Sequence, residues 1–196
     1  MNYVSRGGIK LEHALIEFKI NPQGKIAIDI GASTGGFTDC LLQQGAAKVY
    51  AVDVGYGILD WKLRRDPRVK VVERTNARYL TLKDLGLSVS NIELCTIDVS
   101  FISLSKILSA VYSLLAEKGE VIALIKPQFE ALQEQVPRGG VVKDEKVHQE
   151  VVEKVKKAAE AIGFKASEVI KSPIEGADGN IEFFIYLLKE NKGLNV

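Results

Sequence analysis

The chain has two cysteines, Cys40 and Cys95, in 196 residues. Neither has a CxxC partner, so no disulfide framework or thiolate metal site is expected. They read as core thiols of a cytoplasmic protein. The two histidines, His13 and His148, lack metal-ligand spacing, and no metal is expected. Charge of one sign is not in excess: Lys+Arg 26 against Asp+Glu 25 leaves a net charge of +1. Any nucleic-acid contact must therefore come from a local patch. No apolar run is long enough to span a bilayer, and the opening Met1-Asn2-Tyr3-Val4-Ser5-Arg6 lacks the apolar stretch of a signal peptide. Internal repeats and low-complexity segments are also missing. What remains is a chain that is 46% apolar, enough to bury one full core, so one domain is expected.

Strand and helix signals alternate from Lys25 onward. Strand-like runs fall at 25–30, 48–53, 69–73, 92–97, 119–126, 166–172 and 181–188. Helix-like runs fall near 36–44, 57–65, 81–86, 103–116 and 145–162, with a short helix expected earlier at Gly8 to Phe18. The early strands are unbroken apolar runs such as Val49-Tyr50-Ala51-Val52, which suits strands covered on both faces of a largely parallel sheet. In 145–162 the residues Val147, Val151, Val152, Val155, Ala158, Ala159 and Ile162 share one face, and Gly163 stops the helix. The last two strands lack a long crossover and are predicted as an antiparallel pair at one edge. The expectation is an α/β, Rossmann-like methyltransferase sheet of seven strands, mostly parallel with an antiparallel C-terminal strand. Residues 1–24 would be a linker and first helix, 25–189 the doubly wound core, and 190–196 a frayed tail. Gln128 to Asp144, with Pro137-Arg138-Gly139-Gly140, is expected to be an active-site loop.

The first strand runs into Asp29-Ile30-Gly31-Ala32-Ser33-Thr34-Gly35-Gly36-Phe37-Thr38. A strand, a glycine turn and a helix start together hold nucleotide-like cofactors. Ser33 stands at the third position of GxGxxG, where a glycine is needed, so a pyrophosphate is poorly served and NAD is disfavoured. Asp29 would instead suit the cationic head group of S-adenosylmethionine (AdoMet). Asp53 follows Gly31 by 22 residues, the distance expected for an acid on a ribose diol, with Val54 beside it. Asn76 and Ala77, after the third strand, are candidates for the adenine edge, with an ordinary polar loop as the alternative.

Asp98 closes the fourth strand, where a methyl donor would sit. The prolines that base N-methyltransferases carry there are missing, which disfavours methylation of a base amino group. Lys126 closes the apolar fifth strand. A buried ammonium is costly unless paired, and Asp98 on the neighbouring strand could pair it. Glu182 is the lone charge at the start of an apolar strand, and Lys10 sits on the first helix.

With these residues in view, the chain resembles the TlyA group of hemolysin-A-type rRNA methyltransferases, within the FtsJ-like 2′-O-methyltransferases. The resemblance runs from about Tyr3 to about Lys189. It is carried by Val4-Ser5-Arg6-Gly7-Gly8-Ile9-Lys10-Leu11, the Asp29 to Thr38 run, Asp98-Val99-Ser100-Phe101, Lys126-Pro127-Gln128-Phe129-Glu130 and Gly140-Val141-Val142-Lys143-Asp144. It implies a catalytic set of Lys10, Asp98, Lys126 and Glu182, AdoMet as methyl donor, and ribose 2′-hydroxyls of ribosomal RNA or ribosomal subunits as substrate. Lys126 would take the hydroxyl proton or, as a cation, stabilise developing alkoxide charge. Asp98 would orient Lys126, and Glu182 would orient Lys10 or the ribose. The resemblance also implies an S4-type RNA-binding domain ahead of the catalytic helix, which this chain does not show. An AdoMet- and RNA-binding module dependent on that domain is therefore a rival reading. The hemolysin name implies a membrane activity that nothing in the sequence supports, and the 145–162 face is small and rich in valine and alanine, as packing on a sheet requires. Arg6, Lys62, Arg64, Arg65, Arg138 and Lys143 form a candidate phosphate patch, and Tyr56 and Trp61 could stack on bases, though Trp61 equally suits the core.

Overall fold

The computed structural model describes residues 2–176 and 178–190. Five parallel strands form where apolar residues run without interruption: β1 (Ile26–Ile30), β2 (Lys48–Val52), β3 (Val69–Val72), β4 (Ile92–Ile97) and β5 (Leu115–Ile125). Three more follow: β6 (Phe164–Ala166), β7 (Ile170–Lys171) and β8 (Phe183–Lys189). The sheet order is β3-β2-β1-β4-β5-β8-β6, with β7 also pairing β8. β8 is antiparallel to its neighbours.

Alternation along each strand sorts the core into two layers. Ile28, Ile30, Val52, Cys95, Ile97, Val121, Ala123 and Ile125 face one side, beneath α4 (Leu108–Leu114) and α6 (Glu145–Ile162). Ala27, Val49, Ala51, Leu94, Ile122, Leu124 and Phe184 face the other, beneath α1 (Gly7–Glu17) and α2 (Gly36–Gln43). Burial of each such aliphatic side chain contributes roughly 1.5–3 kcal/mol. α6 begins where the Asp144 side chain accepts the Lys146 N–H, and it ends at Gly163 in the left-handed region.

The antiparallel pair expected of the last two strands at one edge is present: β8 pairs with β5 on one side and with the short outer strands β6 and β7 on the other. Several other expectations change. The strand expected at 166–172 is split into β6 and β7, giving eight strands. At the break the Ser167 hydroxyl accepts the Tyr186 N–H and so takes a backbone place in the ladder. The helix expected at 57–65 shrinks to α3 (Trp61–Arg64), because Asp60 caps it at Lys62 N–H and Pro67 lies beyond its end. No helix covers 81–86. Asp84 accepts from both the N–H and hydroxyl of Thr81, and Gly86 turns left-handed, which closes the segment into turns. The run 103–116 becomes a 3₁₀ turn (Leu104–Lys106) and α4, and β5 starts early at Leu115. The tail expected to fray lies outside the described residues except for Glu190. That residue is held: its carbonyl accepts the Tyr112 hydroxyl.

Candidate active site

The glycine turn after β1 is shaped by close approach. At Gly31, with φ +83°, a Cβ would lie 2.3 Å from the Asp98 carbonyl oxygen; at Gly36 it would lie 2.2 Å from Ser5 Oγ. Glycine therefore lets the ends of β1 and β4 and the start of α1 meet at one point. Two clefts open there. One, of about 410 Å³, runs over Gly31, Ser33, Asp53, Val54, Asn76, Ala77 and Phe101. The other, of about 330 Å³, holds Ala32, Thr34, Gly36 and Phe37 together with Lys10, Asp98, Lys126 and Glu182. Gly31, Ser33, Asp98 and Ser100 border both, so the two clefts share a rim.

Asp53 is set for a diol. Its Oδ2 accepts the Ser33 N–H at 2.8 Å and its Oδ1 the Gly55 N–H at 2.7 Å. Each oxygen keeps acceptor capacity for one hydroxyl. Apolar Val52, Val54 and Ile58 line the same cleft, a wall suited to a flat base. The Asn76 side chain spends its oxygen on the Arg78 N–H, which leaves its amide donors toward the cleft.

Asp29 departs from expectation. It is fully buried and lines neither cleft. Its oxygens accept the Thr38 hydroxyl at 2.7 Å and the Thr96 hydroxyl at 3.0 Å. It therefore ties β1 to α2 and β4 beneath the glycine turn, out of reach of a ligand's ammonium. Burial pushes its carboxyl up to about 7, against the lowering by both hydroxyls, and Asp98 nearby adds to the rise. Gly35 also lines neither cleft. It precedes α2 with φ +102°, and a Cβ there would meet Leu63.

The four charged residues named from sequence converge on the second cleft. Lys126 Nζ lies 2.6 Å from Asp98 Oδ1 and donates to Ser100 Oγ at 3.1 Å. Lys10 Nζ donates to Glu182 Oε2 at 2.5 Å. Side-chain exposures of 10% and 3% for Lys10 and Glu182, and of 12% and 23% for Lys126 and Asp98, make both pairs nearly dry, where Coulombic attraction is far stronger than in water. Glu182 is closed in by Gly176, where a Cβ would lie 2.5 Å from Oε1. Lys126 approaches Asp98 Oδ1 off the hydrogen-bond direction, so that buried oxygen has an ion pair and no directed donor. An acid with spare capacity at the shared rim, a second acid, Asp53, with free acceptor sites at one end and an apolar wall between them fit AdoMet, which carries a diol, a flat base and a positive sulfonium.

The cationic surface differs from the expected patch. Arg64 is ion-paired with Glu73 and donates to the Leu59 carbonyl, and Lys62 lies 3.9 Å from Asp39. Arg6 borders the second cleft. Arg138 and Lys143 line a separate recess of about 410 Å³ formed by the 135–144 loop, and no residue of 128–144 borders the two clefts. Trp61 is 70% exposed rather than core, with Arg65 over its ring at 5.9 Å. Sequence reasoning gave no role to Arg74, 4.2 Å over exposed Tyr56, or to Arg78, 5.5 Å over exposed Tyr79. Alternating cations and aromatics in 74–79 were the available signal. Ser100 and Phe101 stood in a recognised motif with no function attached. Cys40 and Cys95 are buried, and burial pushes the Cys40 thiol up to about 12 and the Cys95 thiol upward as well, so both are chemically quiet. Among the described residues no cluster of His, Cys, Asp and Glu is arranged to hold a metal, and no helix is long and apolar enough to cross a membrane.

A mostly parallel sheet with an antiparallel strand inserted next to its end, a glycine turn on β1 and an acid just after β2 held by two backbone N–H groups match the class of AdoMet-dependent methyltransferases. The FtsJ-like methyltransferase family model matches residues 3–189, and the chain belongs to that family. It is 53% identical over 187 residues to YqxC of Bacillus subtilis, which carries an rRNA methyltransferase name; the match covers 95% of this chain and 66% of YqxC. It is 46% identical over 185 residues to the 16S/23S rRNA (cytidine-2′-O)-methyltransferase TlyA of Mycobacterium tuberculosis, covering 94% of this chain and 68% of TlyA. The chain thus spans about two thirds of the length of these relatives. A solved Lactococcus lactis protein described as a hemolysin is 52% identical, with a TM-score of 0.92 over 97% of this chain and 90% of that one. An AdoMet-dependent methyltransferase from Listeria monocytogenes, at 16% identity and a TM-score of 0.70 over 94% of this chain and 98% of that one, shares the fold.

Proposed function

We propose that this chain methylates ribosomal RNA at a ribose 2′-hydroxyl, with AdoMet as the donor. The observation that carries the reading is the convergence of Lys126–Asp98 and Lys10–Glu182 on one cleft that shares its rim with the Asp53 cleft. TlyA of M. tuberculosis, named for that reaction, supports it. AdoMet, when bound, supplies an activated methyl group on a positive sulfonium. The residues that would hold it are Asp53 at the diol, Gly31 to Ser33 along its length, and Asn76 and Ala77 at the base.

A ribose hydroxyl must share or lose its proton as it becomes a nucleophile. Lys126 is placed to receive or stabilise that charge, because Asp98 and Ser100 fix its ammonium at the rim. Lys10, locked by Glu182, presents a second cation to the same oxygen. Both lysines are held before substrate arrives, so their alignment needs no reorganisation at the moment of transfer. RNA would lie across Arg6, Arg74, Arg78 and Arg65. The exposed faces of Phe101, Tyr56, Tyr79 and Trp61 offer stacking surfaces for unpaired bases. This reading takes the chain as one methyltransferase domain working in the cytoplasm. A second reading, methyl transfer that needs an additional RNA-binding region, draws on the two-thirds span of the relatives.

The test is transfer of labelled methyl from AdoMet to purified ribosomal subunits and to naked rRNA, followed by alkaline hydrolysis. A 2′-O-methylated nucleotide survives as an uncleaved dinucleotide. Label on the base, or no transfer even with an added RNA-binding region, would overturn the proposal. Transfer restored by that region would favour the second reading.

A further inference from the structure

Asp98 and Lys126 end neighbouring strands, yet the β4–β5 ladder stops at Ile97 and Ala123. Beyond it, residues 98–103 belong to no helix or strand. Phe101 within them holds φ +63° and is 90% exposed. An aromatic residue keeps that left-handed conformation when its surroundings impose it. Packed against this loop is one turn of helix, α5 (Pro127–Glu130), together with the Lys126 that precedes it.

Three contacts from this turn run along the loop in order. Lys126 meets Asp98 and Ser100. The Phe129 ring lies 4.9 Å from the Phe101 ring, tilted by 49°. The Glu130 carboxylate, 2% exposed, accepts the Ser103 hydroxyl and the Leu104 N–H, both at 2.6 Å. The Glu130 carbonyl in turn accepts Lys154 Nζ at 2.6 Å, which moors the turn to α6. Burial raises the Glu130 carboxyl above the usual carboxylate range, with Ser103 and Leu104 pulling it back, so the acid is held there against a desolvation cost.

We propose that Glu130, seconded by Phe129, is a positioning residue for methyl transfer: it fastens the loop after β4 to the turn after β5 and so sets the Asp98–Lys126 pair. The proposal rests on the methyl-transfer reading above. Glu130 touches none of the four charged residues and borders neither cleft. The competing role is a cap for the Leu104–Lys106 turn, which would affect stability alone.

The experiment compares wild type, Glu130→Ala, Glu130→Gln and Ser103→Ala in the full chain. Methyl transfer to ribosomal subunits, AdoMet binding by calorimetry and a crystal structure of Glu130→Ala are the readouts. Loosening a reacting pair by about 1 Å costs of order 100-fold in rate. Glu130→Ala is therefore expected to lower kcat roughly 30–100-fold while AdoMet affinity stays within about threefold, with residues 99–103 displaced and Asp98–Lys126 parted beyond about 4 Å. Glu130→Gln can still accept the Leu104 N–H and donate to Ser103, and is expected to keep kcat within about fivefold. A folded Glu130→Ala protein with kcat near wild type, or with the 2.6 Å pair intact in its crystal structure, overturns the proposal. Should that variant fail to fold, Ser103→Ala decides. A kcat lowered about five- to tenfold at unchanged AdoMet affinity supports the positioning role, and an unchanged kcat overturns it. If wild type itself transfers no methyl, the reaction reading falls, and the crystallographic comparison still judges the role of Glu130.

Discussion

The rim formed by β1, β2 and β3 and the rim formed by β4, β5 and β8 are built by different means. On the first, backbone groups do the holding. Glycine permits the approach at Gly31, and two N–H groups orient Asp53. On the second, side-chain charges do it: one ion pair joins the ends of β4 and β5, and another joins the start of β8 to α1. The first rim can bind a neutral, flat, hydroxyl-bearing group with little rearrangement. The second holds two lysines, each paired with a carboxylate, where the proposed reaction needs a hydroxyl to lose a proton. On that proposal binding and chemistry are separable, and substitution on one rim should leave the other working.

The largest separation is expected from Lys126→Ala. Loss of a group acting on the transferred proton or on the charge it leaves typically costs 10²–10⁴-fold. Methyl transfer should fall by about 1,000-fold, with AdoMet affinity within about threefold of wild type in a calorimetric titration. A variant that turns over normally would remove Lys126 from the mechanism. A variant that loses AdoMet as well would show that the two rims are one unit.

The converse substitution is Asp53→Ala. A hydrogen bond to a charged acceptor is worth about 1.5–3 kcal/mol, so with water replacing one of the two diol bonds AdoMet should bind roughly 10- to 100-fold more weakly. The rate at saturating AdoMet should change far less. Binding that is indifferent to this change would mean that the diol sits elsewhere.

Asp29 lies beneath both rims and sharpens the comparison through pH. Its folded carboxyl is raised to about 7 from 3.8, so the folded state binds this proton more tightly than the unfolded chain does. Its contribution to stability is complete below about pH 4 and is lost as pH rises through about 7. The buried carboxylate then weighs against folding by roughly 4 kcal/mol at higher pH. Asp29→Asn has no such titration. Urea unfolding from pH 4 to pH 8 should show wild type losing stability relative to the variant across that window. A constant difference would mean that Asp29 is not perturbed in the folded state.

Asp29 also shows what sequence could and could not reveal. The glycine turn, the span 145–162 of α6 and the Asp98 and Lys126 pair were legible from local spacing or from a charge ending an apolar strand, whereas Lys10 and Glu182, each readable alone as a surface charge, joined them only through the family resemblance. That Asp29 turns away from both clefts was legible in principle. It lies between Ile28 and Ile30, so alternation puts it with Ala27 on the α2 face. Asp53 lies one residue past β2, where alternation no longer applies, and its direction is set by Ser33 and Gly55. The left-handed Phe101 and the withdrawal of Arg64 into a pair with Glu73 come from contacts beyond any local pattern.

The smallest expected effects belong to the outer edge of the first rim. Arg74 and Arg78 hold their guanidinium groups over Tyr56 and Tyr79, whereas Arg64 is ion-paired and hydrogen-bonded to Glu73, a carboxylate that Arg74 influences only through its charge. If Arg74 and Arg78 contact phosphates, each change to alanine should weaken RNA binding only several-fold and reduce the slope of log affinity against log salt by about 1. AdoMet binding and the saturating rate should be unmoved. Arg64→Ala provides the contrast. It should leave the salt slope unchanged, because that charge is already neutralised, and its cost should appear in stability instead. Equal salt slopes for all three variants would show that the pairing seen at Glu73 does not decide which cations on this rim reach RNA.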